Sequence, residues 1–146
     1  MTGNRPPIDV SKRMQFETQA WADEFARCLN NNPNYEKSAK TWEGALVLVF
    51  KAEGKKIKKD VKLWLDLWHG KCRSAKFLKD GDGTAFEFAI TAPETAWHGL
   101  VSGEIDPTRA MMTGRFKIEG AMNKLMRYPL AAGYILKYLK RLLQDW

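Results

Sequence analysis

The segment VKLWLDLW, residues 61–68, alternates between two sets of side chains and restricts the fold more than any other segment. Because successive side chains of a β-strand point to opposite faces of a sheet, this alternation predicts a strand with one apolar face. That face needs neighbouring strands and a second layer of structure to cover it. The apolar set is Val61, Leu63, Leu65 and Leu67, and the other set is Lys62, Trp64, Asp66 and Trp68.

Three further strands are predicted beside this one. Residues 45–50 are apolar and follow a glycine, which is typical of a strand that is buried on both faces. His69-Gly70 predicts a two-residue turn into a hairpin strand over residues 71–78. After a second turn, residues 84–91 predict a strand with Phe86, Phe88 and Ile90 on one face.

Helical spacing of apolar residues marks both ends of the chain. Residues 1–10 are polar and contain proline, so we expect a mobile lead-in. From Ser11 to Leu29, apolar side chains recur every three or four positions and predict a first amphipathic helix. Pro129 ends the preceding helix, and residues 129–146 predict a last amphipathic helix with a basic side.

Residues 91–105 predict one further helix. Thr91 and Glu94 have the spacing of a capping box, in which each side chain bonds the backbone amide near the other. A helix over residues 93–102 follows, and Gly103 predicts its end in the left-handed region.

Residues 106–127 continue this dense segment. Asp106-Pro107 is a second helix start, and Gly114 ends that brief helix. Residues 115–119 then alternate and predict a fifth strand with Phe116 and Ile118 on one face. Residues 121–127 are predicted to be helical.

These elements predict an α+β fold. A mixed, mainly antiparallel sheet of five strands carries its helices on one face. The first four strands are expected to form an antiparallel meander, and the fifth, which arrives through a helical crossover, to lie parallel to a neighbour. A length of 146 residues suits one domain, which we place at residues 11–146.

The segment 91–128 resembles the sterol carrier protein family, of the single-domain prokaryotic type. Family members have a Gly-x-x-Asp-Pro turn, a Met-Thr-Gly-Arg-x-Lys-Ile-x-Gly strand and a Met-rich helix. Residues 29–35 and 42–44 also resemble that family, so the resemblance covers about residues 10–126. The resemblance implies an apolar lipid tunnel between the sheet and the C-terminal helices. The matching positions are Gly103, Asp106, Pro107, Met112, Thr113, Gly114, Arg115, Lys117, Ile118, Gly120 and Met122.

Composition excludes several other classes of protein. Apolar residues make up 45% of the chain, which excludes a disordered chain. The longest apolar run, residues 45–50, is too short to span a bilayer, and the N-terminus does not resemble a signal peptide. We therefore expect a cytoplasmic protein. The formal net charge of +7 favours anionic partners such as phospholipid headgroups or coenzyme A phosphates, or simply keeps the surface soluble.

Catalytic and metal-binding patterns are weak in this sequence. His69 and His98 are isolated, and no His-x-x-x-His, Cys-x-x-Cys or Gly-x-Ser-x-Gly motif occurs. Cys28 and Cys72 are expected to be buried reduced thiols. We therefore expect a protein without catalytic residues, metal or cofactor, and no nucleic-acid partner.

The apolar residues that remain predict a ligand site. Four of the six methionines lie between residues 111 and 126, and methionine adapts to ligands of variable shape. Any one of these side chains is also an ordinary core residue, and this alternative stays open. The resemblance to the family implies Met112, Phe116, Met122, Leu125 and Met126 as wall residues of its tunnel. The predicted wall also includes Leu100, Met111, Leu130, Tyr134, Ile135 and Tyr138. At the mouth, we expect a polar headgroup to meet Tyr134, Tyr138, Lys137, Lys140 and Arg141.

Two functions remain open at this stage. The first is a carrier for a long-chain lipid such as a fatty acid, fatty acyl-CoA, sterol or isoprenoid quinone. The second is an accessory subunit that presents an apolar substrate to a partner enzyme. Residues 129–146 are either a lid that contacts anionic membranes or part of the core. Trp64 and Trp68 are expected to contact a second protomer or the N-terminal segment.

Overall fold

The computed structural model describes residues 16–53, 57–79, 82, 84–105, 109, 114–120 and 127–143. Predicted helices over residues 106–113 and 121–127, and the lead-in over residues 1–10, lie largely or wholly outside this part of the chain. The described helices are α1 (Gln19–Asn30), α2 (Pro33–Ser38), α3 (Glu94–Ser102) and α4 (Pro129–Leu142). The strands are β1 (Glu43–Lys51), β2 (Val61–Trp68), β3 (Lys71–Phe77), β4 (Phe88–Pro93) and β5 (Lys117–Glu119).

The predicted α+β architecture is confirmed. The five strands form one sheet in the order β3-β2-β1-β4-β5. β1 pairs antiparallel with β2 and parallel with β4, while β2–β3 and β4–β5 are antiparallel. Three of the four pairings are thus antiparallel, as expected for a mixed, mainly antiparallel sheet.

The predicted four-strand meander is wrong, and so is the parallel pairing of the fifth strand. After β3 the chain crosses the sheet and returns beside β1, so β4 lies parallel to β1 and β5 pairs antiparallel with β4. The crossing is held by hydrogen bonds: Trp64 Nε1 donates to Ala85 O at 3.0 Å, and Glu87 N donates to Ala45 O at 3.0 Å. Residues 84–87 are therefore part of a crossover segment, and β4 begins only at Phe88. Phe86, placed on the strand by its spacing, is 45% exposed.

The two faces of β1 are both buried, as its sequence predicts. Leu46, Leu48 and Phe50 belong to the main core. Val47 and Val49 form a smaller cluster with Ala89 on the opposite face, against which Trp64 and Leu78 pack. The main core lies on the face that the helices cover.

The first helix is shorter than its apolar spacing predicts. Glu17 has a φ of 71°, which interrupts a right-handed helix, and the Thr18 hydroxyl accepts from Trp21 N to cap α1. Residues 16–18 therefore lie before α1, although Phe16 still packs edge-on against Trp21, Phe50 and Phe77.

Helix α1 also protects an edge of the sheet. β3 is an outermost strand, and Asn30 at the end of α1 exchanges two hydrogen bonds with the backbone of Cys72 at 2.8 and 2.9 Å. Gln19 at the start of α1 donates to Ala75 O at 2.8 Å. These side-chain amides take the place of a neighbouring strand at the β3 edge.

Candidate functional site

An aromatic row runs through the layer between the sheet and the helices. Phe116, 6% exposed, meets the Trp97 ring edge-on at 5.1 Å between centroids. Trp97 in turn lies 4.6 Å from the Phe50 ring, and its Nε1 donates to Val49 O at 2.9 Å. The tryptophan is thereby fixed to β1, and Phe116 is held over it beside the start of β5.

Six of the eleven predicted wall residues lie in the described part of the chain. Phe116, Ile135 and Tyr138 are buried, while Leu100 and Tyr134 are half-buried against the same core. Their role as wall residues stays a prediction. The other five lie outside the described residues: Met111, Met112, Met122, Leu125 and Met126.

Leu130 does not belong to this interior, because its side chain is 70% exposed. The buried side of α4 runs along Ala131, Ile135, Tyr138 and Leu139, a spacing of four, three and one residues. Each residue advances a helix by about 100°, so Leu130 lies next to this stripe and faces away from the core. Leu130 and Tyr134 therefore do share one side of α4, as their spacing predicts, but that side is not the centre of the buried face.

The predicted headgroup residues separate into two groups. The Tyr138 hydroxyl accepts from Asn32 Nδ2 at 2.9 Å, and Asn32 also caps α2 through its Oδ1. The Tyr138 hydroxyl is thus hydrogen-bonded to the residue that caps α2. Lys137, Lys140 and Arg141 instead line one side of a surface cleft.

This cleft lies between α3 and α4 and has a volume of about 420 Å³. His98, Val101 and Ser102 line it from α3, and Leu143 completes the lining beyond the end of α4. Val101 and Leu143 are buried members of the main core, so they form an apolar floor under a cationic rim. We call this the basic cleft. The sequence predicts its cations but did not identify His98, Val101 and Ser102, although their spacing of three and four residues places them on one side of α3.

A second cleft of about 670 Å³ lies near the β2–β3 turn and has a mixed charge. Its lining includes Glu36, Glu43 and His69 together with Lys37 and Lys40. Glu43 Oε2 lies 2.5 Å from His69 Nε2, and Glu36 lies 3.4 Å from Lys71 Nζ. This cleft therefore combines acidic and basic side chains, whereas the described residues that line the basic cleft include no acidic residue.

The two thiols are buried, as predicted. Burial raises the pKa of the Cys72 thiol to about 12, and burial also raises the pKa of Cys28, with a further contribution from the Glu24 charge. Because the thiolate is the reactive form, neither cysteine is a nucleophile near neutral pH. In the ranges that the structure describes, no group of three or more His, Cys, Asp or Glu side chains could hold a metal ion.

The contact expected of Trp64 and Trp68 with a second protomer or with the N-terminal segment stays a prediction, and the described residues show only the surroundings of the two rings within the chain. Trp64 is covered by the crossover of its own chain and by Lys76, whose Nζ lies 5.2 Å from the ring centroid. Trp68 is 38% exposed and contacts the His69 ring and the Arg73 guanidinium.

Among the helices described, none is long and apolar enough to cross a bilayer.

The fold thus has an apolar layer between its sheet and its helices, with the basic cleft at the surface beside it. The model of the SCP-2 sterol transfer family matches residues 25–129. The chain therefore belongs to this family.

Solved structures agree with the assignment. A crystal structure of sterol carrier protein 2 is 35% identical, with a TM-score of 0.76 over 86% of this chain and 98% of that chain. A conserved hypothetical protein of Thermus thermophilus, described as possibly a sterol carrier protein, is 35% identical, with a TM-score of 0.74 over 88% of this chain and 90% of its own. Sterol carrier protein 2 of Yarrowia lipolytica, in its apo form, is 22% identical over 81% of this chain and 88% of its own. Its TM-score of 0.52 shows the fold alone. No curated protein matches the chain.

Proposed function

We propose that this protein binds one long-chain apolar lipid without catalysis and carries it between membranes. The observation that supports the proposal most directly is the family match over residues 25–129, to a family of sterol transfer proteins. The buried aromatic row of Phe116, Trp97 and Phe50 also supports it, because these rings form part of an apolar layer between the sheet and the helices.

The energetics of such binding need no catalytic group. Burying a methylene contributes about 0.8 kcal/mol, so a chain of about sixteen carbons contributes on the order of 12 kcal/mol. Association and ordering cost about 4–15 kcal/mol, and a micromolar Kd corresponds to about −8 kcal/mol. Contacts along the alkyl chain are thus sufficient for useful affinity when the site is largely preformed.

The proposed walls combine residues from three elements. Phe116 lies beside β5, Leu100 on α3 and Ile135 on α4, and all three belong to the core or pack against it. The predicted wall also includes Met111, Met112, Met122, Leu125 and Met126, which lie outside the described residues. The ligand classes are fatty acids, fatty acyl-CoA, sterols and isoprenoid quinones, and the proposed location is the cytoplasm.

The second proposed function is an accessory subunit that presents such a lipid to a partner enzyme. Exposed aromatic side chains support it, because Trp68 and Phe86 leave apolar surface in solvent at 38% and 45% exposure. The same surface suits a contact between two copies of the chain.

Titration with a fluorescent long-chain fatty acid tests lipid binding. We expect saturation at about one ligand per chain, and Phe116→Glu should remove most binding because it places a charge in the apolar layer. Phe116→Leu, which keeps an apolar side chain, should retain it, as should Lys58→Glu on the exposed loop before β2.

Two results would contradict this proposal. One is the lack of saturable binding by folded wild-type protein. The other is an equal loss of affinity in Phe116→Glu and Lys58→Glu, which would indicate a surface electrostatic effect instead of an apolar site.

A further inference from the structure

We propose that the basic cleft binds the phosphate group of an amphipathic ligand whose chain enters the apolar layer. This rests on the proposed lipid-binding function and adds a specificity to it. Phosphorylated lipids should bind more tightly than neutral lipids of the same chain length, because His98, Ser102, Lys137, Lys140 and Arg141 surround the cleft.

The cleft is formed by two helix faces with the same spacing. His98, Val101 and Ser102 lie at positions i, i+3 and i+4 of α3, and Lys137, Lys140 and Arg141 have that spacing on α4. Residues three and four apart lie on one side of a helix, so each helix presents three side chains to the cleft. The two sides together enclose a volume of about 420 Å³.

The charge of this lining is one-sided. Three of its residues are basic, and no acidic residue is among the described residues that line it. Lysine and arginine donate charge-assisted hydrogen bonds to phosphate oxygens, which are stronger than bonds between neutral groups. A phosphate monoester carries about two negative charges at neutral pH, so it fits three converging cations better than a neutral hydroxyl does.

The cleft lies directly against the apolar core. Its floor residues, Val101 and Leu143, belong to the main core, which also contains Phe116 and Ile135. A ligand whose anionic group is held at the rim would therefore have its chain next to apolar side chains of the core. Ser102 offers a hydroxyl at the rim, although this group already donates to Gly99 O at 3.1 Å.

Two of these cations also stabilise α4, and the test must separate this effect from ligand binding. Lys140 and Arg141 lie in the last turn of α4, where positive charge stabilises a helix through its macrodipole. Arg141 also acts electrostatically on Cys28 of α1. The lysines are therefore the better residues to change, and binding must be compared with a neutral ligand in the same variant.

Calorimetric titration of the full chain with dodecanol, dodecanoate and dodecyl phosphate, below their micelle concentrations, tests the proposal. We expect dodecyl phosphate to bind about tenfold more tightly than dodecanol, the effect of about one charge-assisted hydrogen bond. Lys137→Glu/Lys140→Glu should remove this preference, which is measured as the ratio of the dodecanol and dodecyl phosphate affinities within the same variant. Lys58→Glu/Lys59→Glu, an equal change of net charge on the exposed loop, should keep the preference.

The outcomes distinguish this inference from the proposed function. Binding of dodecanol and dodecyl phosphate with equal affinity overturns the phosphate site and leaves lipid binding intact. An equal loss of the phosphate preference in Lys137→Glu/Lys140→Glu and in Lys58→Glu/Lys59→Glu also overturns the phosphate site, because long-range electrostatic attraction then explains the preference. If neither a twelve-carbon ligand nor the long-chain fatty acid binds the wild type, the proposed function fails, whereas binding of the long-chain fatty acid without dodecyl phosphate binding overturns only the phosphate site. Glycerol 3-phosphate, which has no alkyl chain, tests the cleft alone. If it binds the wild type but not Lys137→Glu/Lys140→Glu, the cleft is supported as an anion site for a soluble phosphate ester. If it does not bind, and dodecanol and dodecyl phosphate bind with equal affinity, the cleft is not a phosphate site.

Discussion

Two glutamates, Glu53 and Glu94, join the end of β1 to the start of α3. The Glu94 carboxylate is 2% exposed and accepts from Glu53 N at 2.8 Å and from Ile57 N at 3.1 Å. Glu53 accepts in return from Thr95 N at 2.9 Å, and the hydrogen bonds from Thr95 lower the pKa of the Glu53 carboxyl. The loop before β2 therefore provides the cap of α3.

Glu94→Ala should lower the free energy of unfolding by about 2–4 kcal/mol, because it leaves two backbone amides without their buried charged acceptor. Urea denaturation at neutral pH measures the loss. Glu94→Gln, which retains one acceptor oxygen, should lose less, and Glu119→Ala on the exposed side of β5 should change stability by less than about 0.5 kcal/mol. A Glu94→Ala variant as stable as wild type would show that these bonds contribute no net stability.

This exchange of bonds also explains why the capping box predicted at Thr91 and Glu94 is wrong. Thr91 lies in β4, where it pairs with Val49 and Lys117, and Pro93 is the N-cap residue without a side-chain cap bond. The spacing of a capping box contains no information about a partner 41 positions away. A glutamate in the first turn of a helix has the same local signature in either case.

At the scale of elements, α4 is attached to three other parts of the chain. Trp21 Nε1 of α1 donates to Leu142 O at 3.1 Å, and Asn32 before α2 donates to the Tyr138 hydroxyl at 2.9 Å. The Tyr128 hydroxyl lies 3.0 Å from Thr41 Oγ1. These bonds, with a buried apolar stripe, favour a core role for α4 over the lid that its basic side also allows.

Truncation after Tyr128 should therefore prevent folding. It removes Ile135, Leu139 and Leu143, each worth about 1.5–3 kcal/mol on burial, against a typical domain stability of about 5–15 kcal/mol. Circular dichroism during heating measures whether a cooperative transition remains. A chain ending at Leu143, which keeps α4 and its contacts, is the matched control and should fold.

The lid hypothesis makes the opposite prediction. A truncated chain that unfolds cooperatively, releases a bound lipid faster and binds anionic vesicles more weakly would contradict the core role. Such a result would show that α4 covers a domain that is already complete.

The sequence predicts most elements of the sheet but not how they are connected. Alternation in residues 61–68 and the turn at His69-Gly70, whose φ values are 49° and 83°, are local properties and are confirmed. The parallel partner of β1 depends on the crossover from β3, which Trp64 holds by bonding Ala85. Alternation assigns side chains to faces and does not identify the neighbouring strand, so the meander was an equally consistent arrangement.

The candidate site was predictable to a similar degree. Helical spacing predicts the cations Lys137, Lys140 and Arg141 on one side of α4, and the structure places them in one cleft. The contribution of α3 depends on how the two helices meet, which is a tertiary property. Sequence spacing likewise selects Leu130, because it cannot identify which side of α4 faces the core.

At the scale of the whole molecule, the positive charge bears on how a lipid would be exchanged. The formal net charge is +7, and exposed lysines lie on the sheet as well as at the basic cleft, including Lys51, Lys62 and Lys71. A protein of this charge is drawn to anionic surfaces over about one Debye length, which is about 10 Å at 0.1 M salt and about 3 Å at 1 M. Contact with an anionic membrane should therefore be the step that salt affects.

We expect the purified protein, without any partner, to transfer a fluorescent fatty acid between vesicles. The transfer rate should rise when phosphatidylserine replaces part of the phosphatidylcholine, and it should fall several-fold between about 0.1 and 1 M salt because screening weakens the membrane encounter. Neutral vesicles are the control, and their slower rate should change little with salt. A carrier needs only its own lipid site and this encounter, whereas a presenting subunit needs an enzyme to receive the lipid. Saturable fatty-acid binding with transfer no faster than spontaneous desorption would contradict the carrier role and favour the accessory subunit.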